Sequence, residues 1–461
     1  MKHYILFFII ALTFVSCKDY LDIKPYGKEI PETAEDFSAI LHNICDGIDK
    51  GTILEGLIIG SYGRSSDFEE ITDNMEASIS GGNDRLNFYI GTTLSDKQTD
   101  FSNLYGVIRY CNIILDNLKE ERDSRQGMDI IGTAYAIRGV CYYQLLRQFC
   151  APPLAKDGTL GVPLVTTFDM EAKPIRSTMS ETIGQIEEDL KQALTYDIQE
   201  PMYLFNNDVI NGFLARLYHW CGRWEEARVL ATSLLEKHPL LSDDDYKTMM
   251  STQYGLIGNR LIMGNRISDS PQGLSANMQY LQDRPLSVRY TQLFTEGTAD
   301  IRRKNTFFYN RKRLNKKLIF SGMRSAEMAF IAMECAYHLG DDATALQELN
   351  NFRRHRITSY VDYTMSSLPP VDTSELIQTD ATGKPLTPLL QAILNERRKE
   401  FLLENGDRWF ELKRNGRPEW WVAHEGKKYW TRKYMYTWPI PVEDIQQNSG
   451  LIQNPGYEDI Y

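Results

Sequence analysis

Between Thr133 and Phe149 the apolar residues Ala134, Ile137, Cys141 and Leu145 recur at steps of three and four, the interval that brings side chains to one face of an α-helix. Arg138, Gln144 and Arg147 fall on its other sides, and Pro152-Pro153 predicts its end. Thr178 precedes Glu181 by three residues, so hydroxyl and carboxylate can each satisfy an open backbone donor at the start of a second helix, striped by Ile183, Ile186, Leu190 and Ala193. A helical hairpin is predicted next. Ile210, Phe213, Leu217 and Cys221 line its first arm, Gly222 makes the turn, and Ala227, Leu230, Ala231 and Leu234 line its second. The pattern returns at Ala326, Phe330, Met333 and Tyr337, followed by the turn Gly340-Asp341-Asp342 and then Ala345, Leu346, Leu349 and Phe352.

Small residues such as Ala215 and Ala227 permit close helix contact, and the two hairpins resemble tetratricopeptide repeats. Two unrelated helix pairs would give the same pattern. Thr387-Pro388 predicts an N-cap with proline at the first helical position, leading into a helix through Leu390, Ile393, Leu394, Arg397 and Phe401. Polar, glycine-bearing stretches from about Gly51 to Phe101 and from about Ser251 to Asn310 lack periodicity. The fold class that follows is mostly all-α, with tetratricopeptide-like hairpins forming a superhelical scaffold, long irregular insertions and an irregular C-terminal segment.

The N-terminus changes this picture. After Met1, Lys2 and His3, an apolar run from Tyr4 to Val15 ends in Ser16 and Cys17. That run is shorter than the roughly 20 residues needed to span a bilayer and fits a secretory signal. Phe14-Val15-Ser16-Cys17 looks like a lipobox, with Phe14 where leucine is commoner. The expected organisation is a signal peptide over 1–16, a lipidated Cys17 and tether over 17–30, an N-terminal helical-repeat region over 31–250 and a C-terminal region over 251–461. Export permits disulfides, but Cys45, Cys111, Cys141, Cys150, Cys221 and Cys335 show no C-x-x-C spacing, and buried free thiols are the expectation. A net charge of -11 argues against nucleic acid as a partner, and the basic runs Arg302-Arg303-Lys304 and Arg311-Lys312-Arg313 read as solvated faces.

The run from Asn395 to Arg414, with Glu396-Arg397-Arg398, Glu400-Phe401, Glu404, Arg408-Trp409-Phe410-Glu411-Leu412 and Arg414, closely resembles the ERR-x-EF, E-x-x-R-W-F-DL-x-R signature of the RagB/SusD (SusD-like) family. Glu411 stands where aspartate is common. Trp438-Pro439-Ile440-Pro441, then Asn448, Leu451 and Gln453-Asn454-Pro455-Gly456-Tyr457, resemble the family's C-terminal ending. Asp19-Tyr20-Leu21-Asp22, Asp300 with Arg302, and Arg324 to Met328 extend the likeness over nearly the whole mature chain. The resemblance implies a lipid-anchored outer-membrane protein, displayed at the cell surface, that binds nutrient and passes it to a SusC-like TonB-dependent transporter. Oligosaccharide or glycan is the first ligand class it implies, and peptide the alternative.

Physically the signature reads as architecture. Glu396, Glu400 and Glu404 lie four apart and would repel, so Arg397, Arg398, Lys399 or Arg408 is expected to neutralise them in an ion network. Glu396 and Glu400 also have a spacing that a glycosidase could use. No nucleophile elbow, zinc helix, phosphate loop or metal-ligand cluster accompanies them, so no catalytic residue, metal or cofactor is expected. Sugar binding needs rings to stack on and amide, carboxylate or guanidinium groups to bond hydroxyls. No tryptophan precedes Trp220, so in the first long stretch Phe88 and Tyr89 are the stacking candidates, flanked by Asp73, Asn74, Asn83, Asp84 and Arg85. Tyr280, Arg284 and Tyr290 form a second candidate patch, placed to face the first across a shallow cleft. A scaffold that binds only protein is the remaining alternative.

Overall fold

The computed structural model describes residues 31–50, 58, 65, 68–69, 71–75, 99–156, 158–169, 171–241, 243–249, 262–264, 286–306, 322–424 and 427–457. Cys17, Asn83, Asp84, Arg85, Phe88, Tyr89, Tyr280 and Arg284 lie outside these described residues.

The first helices are α1 (Ala34–Lys50), α2 (Thr99–Asn117) and α3 (Arg125–Phe149). Helix α3 begins eight residues before its predicted start, because Ser124 caps it by accepting from the Gly127 amide. It is also buried nearly all round, flanked by α1, α2 and α4 (Met179–Leu194), where the periodicity predicts one apolar face. Two of its polar residues find partners on neighbouring segments. Arg138 pairs with Asp189 of α4 at 2.6 Å and donates to Asn112 of α2 at 2.8 Å, while Gln144 donates to the Ile58 carbonyl at 2.7 Å. The expected reciprocal cap of Thr178 and Glu181 opens α4.

The hairpin α5 (Asn207–Trp220) and α6 (Trp224–Lys237) turns at Gly222, whose φ of +74° suits glycine and where a Cβ would lie 2.8 Å from Leu154. The second hairpin, α7 (Ser325–His338) and α8 (Asp342–Arg354), stacks directly on the first through α6 and α7. Trp224 at the start of α6 lies flat on His338 at the end of α7, with centroids 4.2 Å apart and planes 12° apart. The two pairs are therefore related units of one stack, although some ninety residues of chain separate them. Helices α9 (Pro388–Glu400) and α10 (Asp407–Arg414) complete the longer helices, with α9 against α7 and α8.

Strand is scarce among the described residues. Antiparallel pairs join β1 (Leu160–Pro163) to β2 (Arg176–Thr178), β3 (Met263–Gly264) to β4 (Gly322–Met323), and β5 (Trp420–His424) to β6 (Lys427–Thr431). One hydrophobic cluster runs from Ala34 to Tyr457, so the regions over 31–250 and 251–461 share a core. The C-terminal segment lies across the end of α3. The Trp438 amide donates to the Gln148 carbonyl at 2.9 Å, its ring stacks on Phe68, and the Asn454 amide donates to the Phe149 and Trp438 carbonyls. Cys45, Cys111, Cys141, Cys150 and Cys335 are buried free thiols, and Cys221 is a half-buried one. No helix among the described residues is long and apolar enough to cross a membrane.

Candidate functional site: an ion-paired frame beside an open groove

Thr387 caps α9, and Pro388 takes its first position as the sequence predicts. The turn from α9 to α10 bends through Leu403, Asn405 and Gly406 with φ of 61°, 50° and 70°; at Gly406 a Cβ would lie 2.7 Å from the Phe68 ring. Glu396 and Glu400 on α9 and Glu404 in this turn are all buried.

The expected ion network is present, but its partners differ from the expected ones. Glu400, fully buried, receives Arg324 at 2.5 Å and Arg356 at 2.9 Å, with Arg302 at 3.5 Å. Glu404 receives Arg324 at 2.9 Å, and Glu396 receives Arg302 at 2.6 Å, Lys399 at 2.5 Å and Arg353. Arg302 also grips Asp300 at 2.7 Å. Of Arg397, Arg398, Lys399 and Arg408, only Lys399 pairs with one of these three glutamates. Arg397 turns instead to Asp407, while Arg398 and Arg408 converge on Asp73 at 3.0 and 2.7 Å. The reason is helical geometry: residues four apart share a face, and those between them point elsewhere. Against the penalty of burial, Arg356 and Arg324 hold the Glu400 carboxyl well below the ordinary carboxylate range, and Lys399, Arg302 and Arg353 do the same for Glu396. Neither is available as the protonated acid a glycosidase pair requires.

Asp73, Asn74 and Tyr290 belong to the same frame. Asp73 is 6% exposed with both carboxylate oxygens on arginine, and Asn74 donates to Glu69 at 2.6 Å while accepting from Arg398 at 2.6 Å. Tyr290 is fully buried and donates to the Lys399 carbonyl at 3.4 Å. Burial and ion pairing hold these three side chains within the frame. They do bring the roots of the two long stretches together. Met75 pairs with Leu286, the Ser287 amide donates to the Asn74 carbonyl at 2.8 Å, and the Ser287 hydroxyl donates to the Asp73 carbonyl at 2.7 Å.

The frame carries a pH signature. Despite burial, Arg398 and Arg408 hold Asp73 low, as the other arginines hold Glu396 and Glu400. A carboxyl depressed in the folded state contributes stability above its unfolded value of about 4, and loses it as pH falls through the folded value. Through these three carboxyls the melting temperature is expected to fall as pH drops below about 4. Calorimetry over that range checks this; a melting temperature that held or rose on acidification would contradict it.

An open groove of about 1170 Å³ lies outside the frame, between α1, α2, the segment from Pro163 to Pro174, and residues 444–451. Helix α2 supplies Phe101, Tyr105, Arg109 and Tyr110, and α1 supplies Ile40, Asn43 and Ile44. Tyr105 is fixed by donating to the Pro163 carbonyl at 2.6 Å. Tyr110 is 42% exposed, with the Arg109 guanidinium 5.4 Å from its ring centroid. Asn43, Asn103 and Asn448 add amides to the wall. The arrangement offers ring faces and hydrogen-bond groups in one concave surface, as sugar or peptide recognition requires. The sequence reading did not single out these residues. The available signal was an aromatic and arginine pair, Arg109-Tyr110, on the solvent side of an amphipathic helix, a pattern that surface helices commonly show.

Among known proteins, a family model described as SusD-like, starch-binding associating with outer membrane, matches residues 19–219, and the SusD family model matches residues 292–457. A SusD superfamily protein from Bacteroides thetaiotaomicron is similar in structure, with a TM-score of 0.68 and 21% identity over 92% of this chain and 100% of its own. A SusD-like carbohydrate binding protein from Bacteroides vulgatus gives 0.68 and 18% over 91% and 98%, and a SusD superfamily protein from Bacteroides fragilis gives 0.66 and 18% over 92% and 100%. No curated protein matches the chain. With two family matches that together take in about four fifths of the sequence, and with their signature residues building the buried frame, this chain belongs to the SusD (RagB/SusD) family.

Proposed function

We propose that this protein binds a nutrient, oligosaccharide or glycan before peptide, at the outside of the cell and delivers it to a SusC-like TonB-dependent outer-membrane transporter. The observation that carries this reading is the open groove with ring faces and amides on a chain of this family. Met75 in the first long stretch is tied to Leu286 in the second, and the first stretch runs into α2, whose turns wall the groove. This connectivity supports a ligand surface shared by that stretch and the groove, with Phe88 and Tyr89 as its stacking pair. Cys17 carries the lipid that holds the protein at the outer membrane, and the rigid stacked hairpins α5 to α8 offer an extended face for the transporter.

Affinity electrophoresis against a panel of polysaccharides, calorimetry with peptides, and recovery of a β-barrel from detergent extracts test the proposal. Retardation by a glycan together with barrel recovery is the expected result. Barrel recovery with no glycan or peptide bound would favour the protein-only scaffold. Replacing both Phe88 and Tyr89 with alanine is expected to weaken ligand binding by about tenfold or more, near 1.4 kcal/mol, with thermal stability nearly unchanged. Tyr110→Ala should weaken binding by a smaller factor, because Tyr110 is one ring at the groove wall; unaltered affinity in both variants would remove this surface.

A further inference from the structure

The hairpin of β5 and β6 places Trp421 directly opposite Trp430. Side chains alternate across a strand pair, so these two indoles share one face, while the next pair, Trp420 and Thr431, takes the other. Thr431 is buried, which sets that second face against the body. Trp421 and Trp430 lie on the outer face and are 43% and 36% exposed. Trp220, Trp409 and Trp438, by contrast, are buried in the core. No residue of the hairpin lines the open groove.

The border of the ring pair is polar and held in place. The Arg432 guanidinium lies over the Trp430 ring, 4.6 Å from its centroid, and Arg432 Nη1 stands 3.5 Å from Glu419 Oε2. The other oxygen of Glu419 accepts from the Lys433 amide at 3.1 Å. A carboxylate and a guanidinium, each about half exposed, therefore flank two exposed rings at the base of one hairpin. At these exposures two tryptophans offer on the order of 100–200 Å² of surface, against about 800 Å² per partner in a stable protein interface. What fits is small and amphipathic. A pyranose lays its C–H face on an indole and turns its hydroxyls to a carboxylate or guanidinium beside it.

We propose that the outer face of this hairpin is a second carbohydrate site, in which Trp421 and Trp430 stack a pyranose and Glu419 and Arg432 bond its hydroxyls. The inference rests on the reading that the protein binds glycan, and it adds a separate point of attachment. A long polysaccharide offers pyranoses to both surfaces and is held more tightly than an oligosaccharide that fills one.

The test uses the mature chain in affinity gels containing starch, xylan or galactomannan. At least one of the three is expected to retard the wild type. Trp421→Ala combined with Trp430→Ala should weaken that binding by about three- to tenfold without moving the melting temperature. Trp421→Phe with Trp430→Phe keeps a ring at each position and should recover most of it. Fluorescence supplies a second readout, because acrylamide quenches exposed indoles and the retarding polysaccharide should shield them in the wild type. Equal retardation of the wild type and the alanine variant overturns the second site and leaves the glycan reading standing. No retardation by any of the three, with quenching unchanged, overturns both.

Discussion

Replacing Glu400 with alanine is expected to destabilise the protein by about 3–5 kcal/mol, the usual range when one partner is removed from a buried ion pair. Glu400 is fully buried, and three guanidinium groups, from Arg324, Arg356 and Arg302, face its two oxygens. Taking the carboxylate away leaves those charges in a site that water does not reach, so the loss exceeds that of any single contact. An exposed pair provides the control. Arg354 and Asp362 are each about half exposed, and Asp362→Ala should change stability by no more than about 1 kcal/mol. Denaturant unfolding of both variants measures the contrast. Near-equal effects would mean that the arginines of the frame find other partners when Glu400 is gone.

The second large effect concerns location. Cys17→Ala is expected to move the protein almost completely out of the membrane fraction, because the apolar leader is too short to anchor it and no described helix can cross a bilayer. Buried acyl chain contributes about 0.8 kcal/mol per methylene, so one chain holds a protein only marginally and several hold it firmly. Ultracentrifugation of lysates with radiolabelled palmitate as tracer reads this directly. Persistence of the variant in the membrane fraction without label would show that another surface holds it there.

These expectations rest on different parts of the sequence reading. The hairpins were legible because Ala215, Ala227 and the apolar residues around them repeat at helical steps, and because Gly222 sits where only a left-handed turn joins the arms. The ends of α4 and α9 were legible in Thr178 with Glu181 and in Thr387-Pro388, since capping is a local matter of one side chain and three backbone groups. Arg138 and Gln144 were placed on the other sides of α3 without partners. Their partners, Asp189 and the Ile58 carbonyl, lie 51 and 86 residues away, and periodicity carries no information at that range. The arginine partners of Asp73 and Asn74 were not legible for the same reason. An aspartate in a polar stretch reads identically whether it faces a sugar or two arginines more than three hundred residues downstream.

By itself the sequence determined the helical class, the helix caps and turns, the family, and the clustering of acids on one face of α9, because each depends on spacing along the chain. The tertiary structure decided which arginines neutralise those acids, that the two hairpins stack, and where an open groove lies. Those features arise from residues distant in sequence brought within a few ångströms, and only the packed chain fixes which of many chemically equivalent partners meet.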